Sequence, residues 1–223
     1  MPSANIYWKK DGERIIQGDD FGLEDNEPLY EDQAIAANRP TVRLSSQTSR
    51  VYVDCFTPDK AGIYECVAET PYKRITHKTI VKPTCVVTDP SFYAAGYIFR
   101  LLNHVLCSGN SISENVDTQC LMTKKNARME PARIYLFTTY RIEMANATVQ
   151  LLCRAEGNPK PTITWFDRER NPIGPNTLGY KQLRNGDLVL QSWNLSPSFH
   201  FFLCEAENRF GVDTVESKVY LTA

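Results

Sequence analysis

Three residues constrain this chain more than any others: Cys153, Trp165 and Cys204. The tryptophan follows the first cysteine by twelve residues, the length of one strand, one turn and half of a second strand. The second cysteine comes thirty-nine residues after the tryptophan. This is the spacing of a two-layer antiparallel sandwich, in which a disulfide ties two facing strands and an indole packs against it. Around each anchor the apolar residues alternate, as strands with one buried face require. They run Val149, Leu151, Cys153 and Ala155, then Ile163 and Trp165, then Leu188 and Leu190, then Phe202, Cys204 and Ala206. Asn185-Gly186-Asp187 and Gly211 mark turns between these runs. On the last strand Val215, Val219 and Leu221 are expected to face inward, with Glu216, Lys218 and Tyr220 outward.

The earlier half carries a second copy of the pattern. Asn5 to Lys9 reads as a strand with Ile6 and Trp8 inward, followed by an Asp11-Gly12 turn and a short strand from Arg14 to Gln17. Trp8 is the counterpart of Trp165, and Arg50 to Phe56 is the expected counterpart of the strand at Leu188. Asp59, Gly62, Tyr64 and Cys66 match a corner in which a tyrosine two residues before the second cysteine bonds back to the chain. Phe202 takes the place of Tyr64 in the later half, so packing there must do without the corner hydroxyl. If the later spacing is applied to Trp8, the partner of Cys66 falls upstream of Met1. The expectation is therefore a first unit that lacks its first strands, with an exposed sheet edge beside Ile6 to Trp8.

Composition narrows the function classes. With 223 residues, 42% hydrophobic and 23% charged, the chain has room for two units of about 100 residues each. A net charge of −1 offers no basic excess for nucleic acid. No apolar run reaches the roughly 20 residues of a membrane span, and Met1-Pro2-Ser3-Ala4-Asn5 is too polar for a signal peptide. Paired strand cysteines nevertheless belong to an oxidising, extracellular compartment. Seven cysteines leave one over, and Cys55, Cys85, Cys107 and Cys120 can pair in any of three ways, with Cys66 unpartnered. Their spacing offers no short step for zinc, and the acidic stretch from Gly18 to Asp32 lacks the spacing of a calcium loop, so no metal or other cofactor is expected.

The span from residue 85 to 129 is long for a connection. Phe92, Phe99, Leu102 and Leu106 recur close to helical spacing, which suits a short amphipathic helix from Ser91 to Leu106. Asn146-Ala147-Thr148 and Asn194-Leu195-Ser196 are acceptor sequences for N-glycosylation. Catalysis finds no foothold, because His77, His104 and His200 are the only imidazoles and none accompanies a nucleophile motif. Phe166, Phe199 and Phe201 fall outside the inward pattern and would form a contact surface if exposed together.

Asn185-Gly186-Asp187-Leu188-Val189-Leu190 and Asn208-Arg209-Phe210-Gly211, with two sandwiches and no anchor, resemble the secreted two-immunoglobulin proteins of invertebrates. These are the nematode zwei-Ig group and the insect imaginal morphogenesis protein that binds insulin-like peptides. The resemblance implies an all-β fold of two tandem immunoglobulin-like I-set sandwiches, with units at 1–84 and 130–223 and a connecting segment at 85–129. It also implies a secreted binder of insulin-like or related peptides, or of neuronal surface proteins, with a role in axon maintenance. The competing expectation is an adhesion-receptor fragment that meets another immunoglobulin-type protein. Phe166, Tyr220 and the segment from Phe92 to Leu106 are the candidate anchors for a protein or peptide partner.

Overall fold

The computed structural model describes residues 4–18, 44–53, 58–70, 72–82, 129–191 and 195–222. Among these the regular structure is β-strand, apart from one 3-10 turn at Pro58–Lys60. The expected helix from Ser91 to Leu106 and the acidic stretch from Asp19 to Asp32 lie outside the described residues.

In the first half β1 (Asn5–Lys10), β2 (Glu13–Arg14), β4 (Gly62–Glu69) and β5 (Arg74–Val81) form one antiparallel sheet in the order β2-β1-β4-β5. Trp8 stands opposite Cys66, which stands opposite His77. Asp11 and Gly12 turn the chain with φ of 50° and 94°, the left-handed pair that matches strand twist in a two-residue hairpin. The Asp11 carboxylate accepts a bond from Ile63 N at 2.8 Å, so the turn is tied to β4 as well. The strand expected from Arg14 to Gln17 is cut to Glu13–Arg14, because the chain leaves the sheet once Ile15 N has bonded to Trp8 O. The tyrosine corner is present: Tyr64 donates its hydroxyl to Lys60 O at 2.9 Å, closing the 3-10 turn onto β4.

The second half contains β6 (Glu130–Met144), β7 (Thr148–Leu151), β8 (Cys153–Asn158), β9 (Thr162–Phe166), β10 (Pro172–Ile173), β11 (Tyr180–Gln182), β12 (Leu188–Gln191), β13 (Phe199–Asn208) and β14 (Gly211–Thr222). One layer runs β10-β9-β13-β14-β6 and the other holds β11-β12-β7, while β8 pairs with the first part of β6. The β14–β6 pairing is parallel. Between the layers lie Trp165, Ile134, Val149, Leu151, Leu188, Leu190, Val219 and Leu221, all with essentially no exposed surface. Cys153 and Cys204 are joined at S–S 2.00 Å, and the Trp165 indole donates to Gly186 O at 2.8 Å. Phe202 fills the place of a corner tyrosine by packing edge-on to Tyr180, with ring centroids 6.0 Å apart.

One strand departs from the expectation. Residues 50–53 are not a strand; the strand is β3 (Leu44–Ser49), and it joins the sheet of the second half. It pairs antiparallel with β6, from Leu44 opposite Ile142 to Ser49 opposite Leu136. The cause is the length of β6. Fifteen residues carry it past β8 to β14, and along residues 136–142 its remaining edge would be left with unpaired backbone groups. A bulge between Ser46 and Gln47 adjusts the register, and Thr139 donates its hydroxyl to Ser46 O at 3.0 Å there. Around this junction Ile6 and Tyr52 pack against Tyr135, Leu136 and Leu152. Tyr52 donates its hydroxyl to Ile134 O at 3.1 Å, and the Arg50 guanidinium lies 4.8 Å from the centre of the Phe137 ring.

Candidate functional site

Cross-strand partners share a face of a sheet, so the pairing registers define what the enlarged sheet presents to solvent. One row runs Phe199, Tyr220, Ile142 and Leu44 across β13, β14, β6 and β3. The next runs Phe201, Lys218, Tyr140 and Ser46, and a third runs Phe166, Leu203 and Glu216. The alternate residues Phe202, Cys204, Val219 and Leu221 point into the core. Four strands span about 14 Å in the hydrogen-bonding direction, enough for the apolar centre of a protein contact.

The rows differ in accessibility. Phe199 is 53% exposed and Leu44 52%, so the apolar row is open at both ends. Phe199 and Tyr220 pack ring against ring with centroids 4.5 Å apart, which fixes both rotamers before any partner arrives. Phe201 is flanked by two cations: the Arg168 guanidinium at 5.4 Å from its centroid and the Lys218 ammonium at 6.0 Å. Lys218 also pairs with Glu216 at 3.3 Å. A shallow groove of about 260 Å³ beside Phe201 is lined by Asp167, Arg168, Arg170, Leu203 and Glu216. The arrangement is a rigid aromatic centre with a rim of mixed charge, which suits protein recognition and offers no group placed for bond-making chemistry.

The residues singled out from sequence fall in different places. Cys153, Cys204 and Trp165 are core. Trp8 is half-buried and donates to Ser49 Oγ at 3.0 Å, which anchors β1 to β3. Cys66 is a free thiol among the described residues, half-buried beneath Trp8, and burial raises its pKa. Cys55, Cys85, Cys107, Cys120, Asn194 and the stretch from Phe92 to Leu106 lie outside the described residues. Asn146 is exposed in the turn after β6, with φ of 69°. His77 is exposed on β5, and the His200 ring lies 2.9 Å from Ser196 O and 3.2 Å from Ser198 Oγ. Among the described residues no cluster of His, Cys, Asp and Glu could hold a metal, and no helix is long and apolar enough to cross a membrane.

Sequence reasoning singled out Phe166, Phe199 and Phe201 as a contact surface if exposed together, and Tyr220 as an outward-facing candidate anchor, but missed Leu44, Tyr140 and Ile142, which lie in the same rows. The alternation of Tyr140, Ile142 and Met144 with Arg141 and Glu143 was a signal of a strand, but it points the wrong way. The charged residues are 1% exposed and the apolar ones face outward. The other miss is Asp187, fully buried beneath its turn. Its carboxylate accepts from Cys153 N at 3.1 Å, Gln150 Nε2 at 3.0 Å, Arg154 Nη2 at 3.1 Å and Asn185 Nδ2 at 3.0 Å, fastening the disulfide strand to the turn that receives the indole.

Residues 142–221 match the immunoglobulin I-set domain. The chain is 26% identical over 221 residues to the zwei Ig domain protein zig-3 of Caenorhabditis elegans, covering 99% of this chain and 70% of that protein. It is 23% identical over 150 residues to the neural/ectodermal development factor IMP-L2 of Drosophila melanogaster, covering 62% of this chain and 55% of the relative. The crystal structure of IMP-L2 superposes with a TM-score of 0.56 at 20% identity, over 98% of this chain and 79% of that one, which establishes a shared fold. The chain thus contains an immunoglobulin I-set domain at residues 142–221, a type of domain that serves as a binding module rather than an enzyme, and it resembles both the zwei-Ig group and IMP-L2.

Proposed function

We propose that this chain is a secreted, extracellular module that captures a protein or peptide ligand on the face built by Phe199, Tyr220, Ile142 and Leu44. The observation that carries the reading is the continuity of that row across β3, which comes from the first half of the chain. The two halves, at 1–84 and 130–223, act as one ligand-binding body. Aromatic anchors held by their neighbours lose little freedom on binding, and such residues dominate the energetics of protein contacts. The resemblance to IMP-L2 and zig-3 supports an insulin-like or related peptide, or a neuronal surface protein, as the ligand, and a role in maintaining the nervous system.

The test is titration of the secreted chain against a panel of insulin-like peptides, alongside Phe199→Ala and Tyr220→Ala. Each truncation is expected to cost about 1–3 kcal/mol of binding, a loss of roughly fivefold to 150-fold. Saturable binding untouched by both substitutions would place the site elsewhere. Binding to a membrane-anchored immunoglobulin protein, with none to the peptides, would favour the adhesion reading.

A further inference from the structure

We propose that Asn185-Gly186 is a latent self-modification site: held inert in the folded protein, it deamidates when its turn opens, and the product no longer fits the turn. It does not depend on the aromatic face. These residues form the one Asn-Gly pair in the sequence. In such a pair the main-chain nitrogen of the glycine can attack Cγ of the asparagine, because the glycine carries no side chain to obstruct ring closure. A bond forms between Gly186 N and Asn185 Cγ, and the Cγ–Nδ2 bond breaks. Solvent base removes the Gly186 amide proton, and Nδ2 takes up a proton and leaves as ammonia. Water then opens the cyclic imide at either carbonyl, leaving aspartate or isoaspartate at position 185.

The fold keeps each participant from this reaction. Gly186 N donates to Leu183 O at 3.1 Å, so its proton is engaged rather than open to base. The asparagine amide is held at both ends: Oδ1 accepts from Asp187 N and Nδ2 donates to Asp187 Oδ2, each at 3.0 Å. Gly186 is buried, its carbonyl accepts from the Trp165 indole at 2.8 Å, and a Cβ added to it would stand 2.5 Å from Cys153 O. Ring closure therefore waits for local opening, and its rate follows the fraction of time that the turn is open. The product then works against closing again. Aspartate at position 185 removes a donor from the buried Asp187 carboxylate and sets a second carboxylate against it. Isoaspartate adds a methylene to the main chain where the backbone has no slack. Because Asp187 also holds Cys153 N and Arg154, the damage reaches the disulfide strand. Brief opening is reversible and prolonged opening is not, so the second half keeps a one-way record of time spent unfolded.

The experiment incubates the full chain at mildly alkaline pH, folded or in concentrated urea, and follows Asn185 by peptide mapping in heavy-oxygen water, which marks every imide that opens. Deamidation in the folded chain is expected to be slower than in urea by about tenfold or more. Gly186→Ala, compared in urea where its fold does not matter, should react several times more slowly, because a methyl group obstructs the attacking nitrogen. Asn185→Asp supplies one product directly and should lower the ratio of folded to unfolded protein by about tenfold in a urea titration. Equal rates in the folded and unfolded chain would overturn the proposal. So would an intact Asn185 or an unslowed Gly186→Ala in urea, or an Asn185→Asp variant as stable as the parent.

Discussion

Replacing Asp187 with alanine should cost this protein more than its place in a surface turn implies. The carboxylate has no exposed surface and accepts from Cys153 N, Gln150 Nε2, Arg154 Nη2 and Asn185 Nδ2 at 3.0–3.1 Å. Removing one partner of a buried ion pair costs about 3–5 kcal/mol. The Arg154 side chain is 16% exposed, so water reaches part of the abandoned cation and the lower end applies. The orphaned Cys153 amide adds about 1–3 kcal/mol, because it lies in the core with nowhere to turn. A total of about 4–6 kcal/mol follows, a large share of the roughly 5–15 kcal/mol that stabilises a typical domain. Urea unfolding followed by tryptophan fluorescence would measure it, because the Trp165 indole bonds to Gly186 O beside the network. The double variant Asp187→Leu/Arg154→Met removes both charges together and should recover about half of the loss, giving a coupling of about 1–3 kcal/mol. A cost below about 1 kcal/mol for Asp187→Ala, or strict additivity in the cycle, would refute this account of the turn.

Two further outcomes are expected. Gly186→Ala should destabilise the second half by about 3 kcal/mol, from a left-handed backbone and an overfilled core. At φ of 98° a new Cβ would meet the Ile163 side chain and stand 2.5 Å from Cys153 O, and a loss below about 1 kcal/mol on thermal unfolding would contradict this. Burial raises the Cys66 pKa above the 9.0 of a free thiol, so the folded state favours the neutral form. Stability is therefore unaffected below the unfolded pKa and declines as pH rises above it. Iodoacetamide modification of Cys66 in the folded protein, read by peptide mapping, should lag a model thiol at pH near 9 and catch up only in urea. Equal rates in the folded state would mean that the thiol beside Trp8 is open to water.

The glycosylation acceptor at Asn146, the free thiol at Cys66 and the tyrosine corner at Tyr64 each sit where a local pattern places them. A turn, a strand or a corner needs only a few adjacent residues. The aromatic face was half legible. Phe199, Phe201 and Tyr220 stand out because they interrupt the inward alternation of β13 and β14, whereas Leu44, Tyr140 and Ile142 depend on which strands become neighbours. Arg141 and Glu143 show why the faces of β6 are not legible in its pattern: the charged residues are the buried ones. They lie on the inward face, in register with the core residues Val219 and Leu221 of β14, and no nearby residue announces that neighbour.

From its residues alone this chain could be assigned a disulfide clamped over Trp165, an alternating core and a second, related half. Those features repeat with a period of two or hold a fixed separation along the chain, and periodicity survives without any knowledge of contacts. Only the folded molecule revealed that β3 leaves its own half to extend the sheet of the other and that Asp187 is a buried hub. Backbone donors and acceptors are the same in every strand, so side chains record which face is buried but not which edge finds a partner.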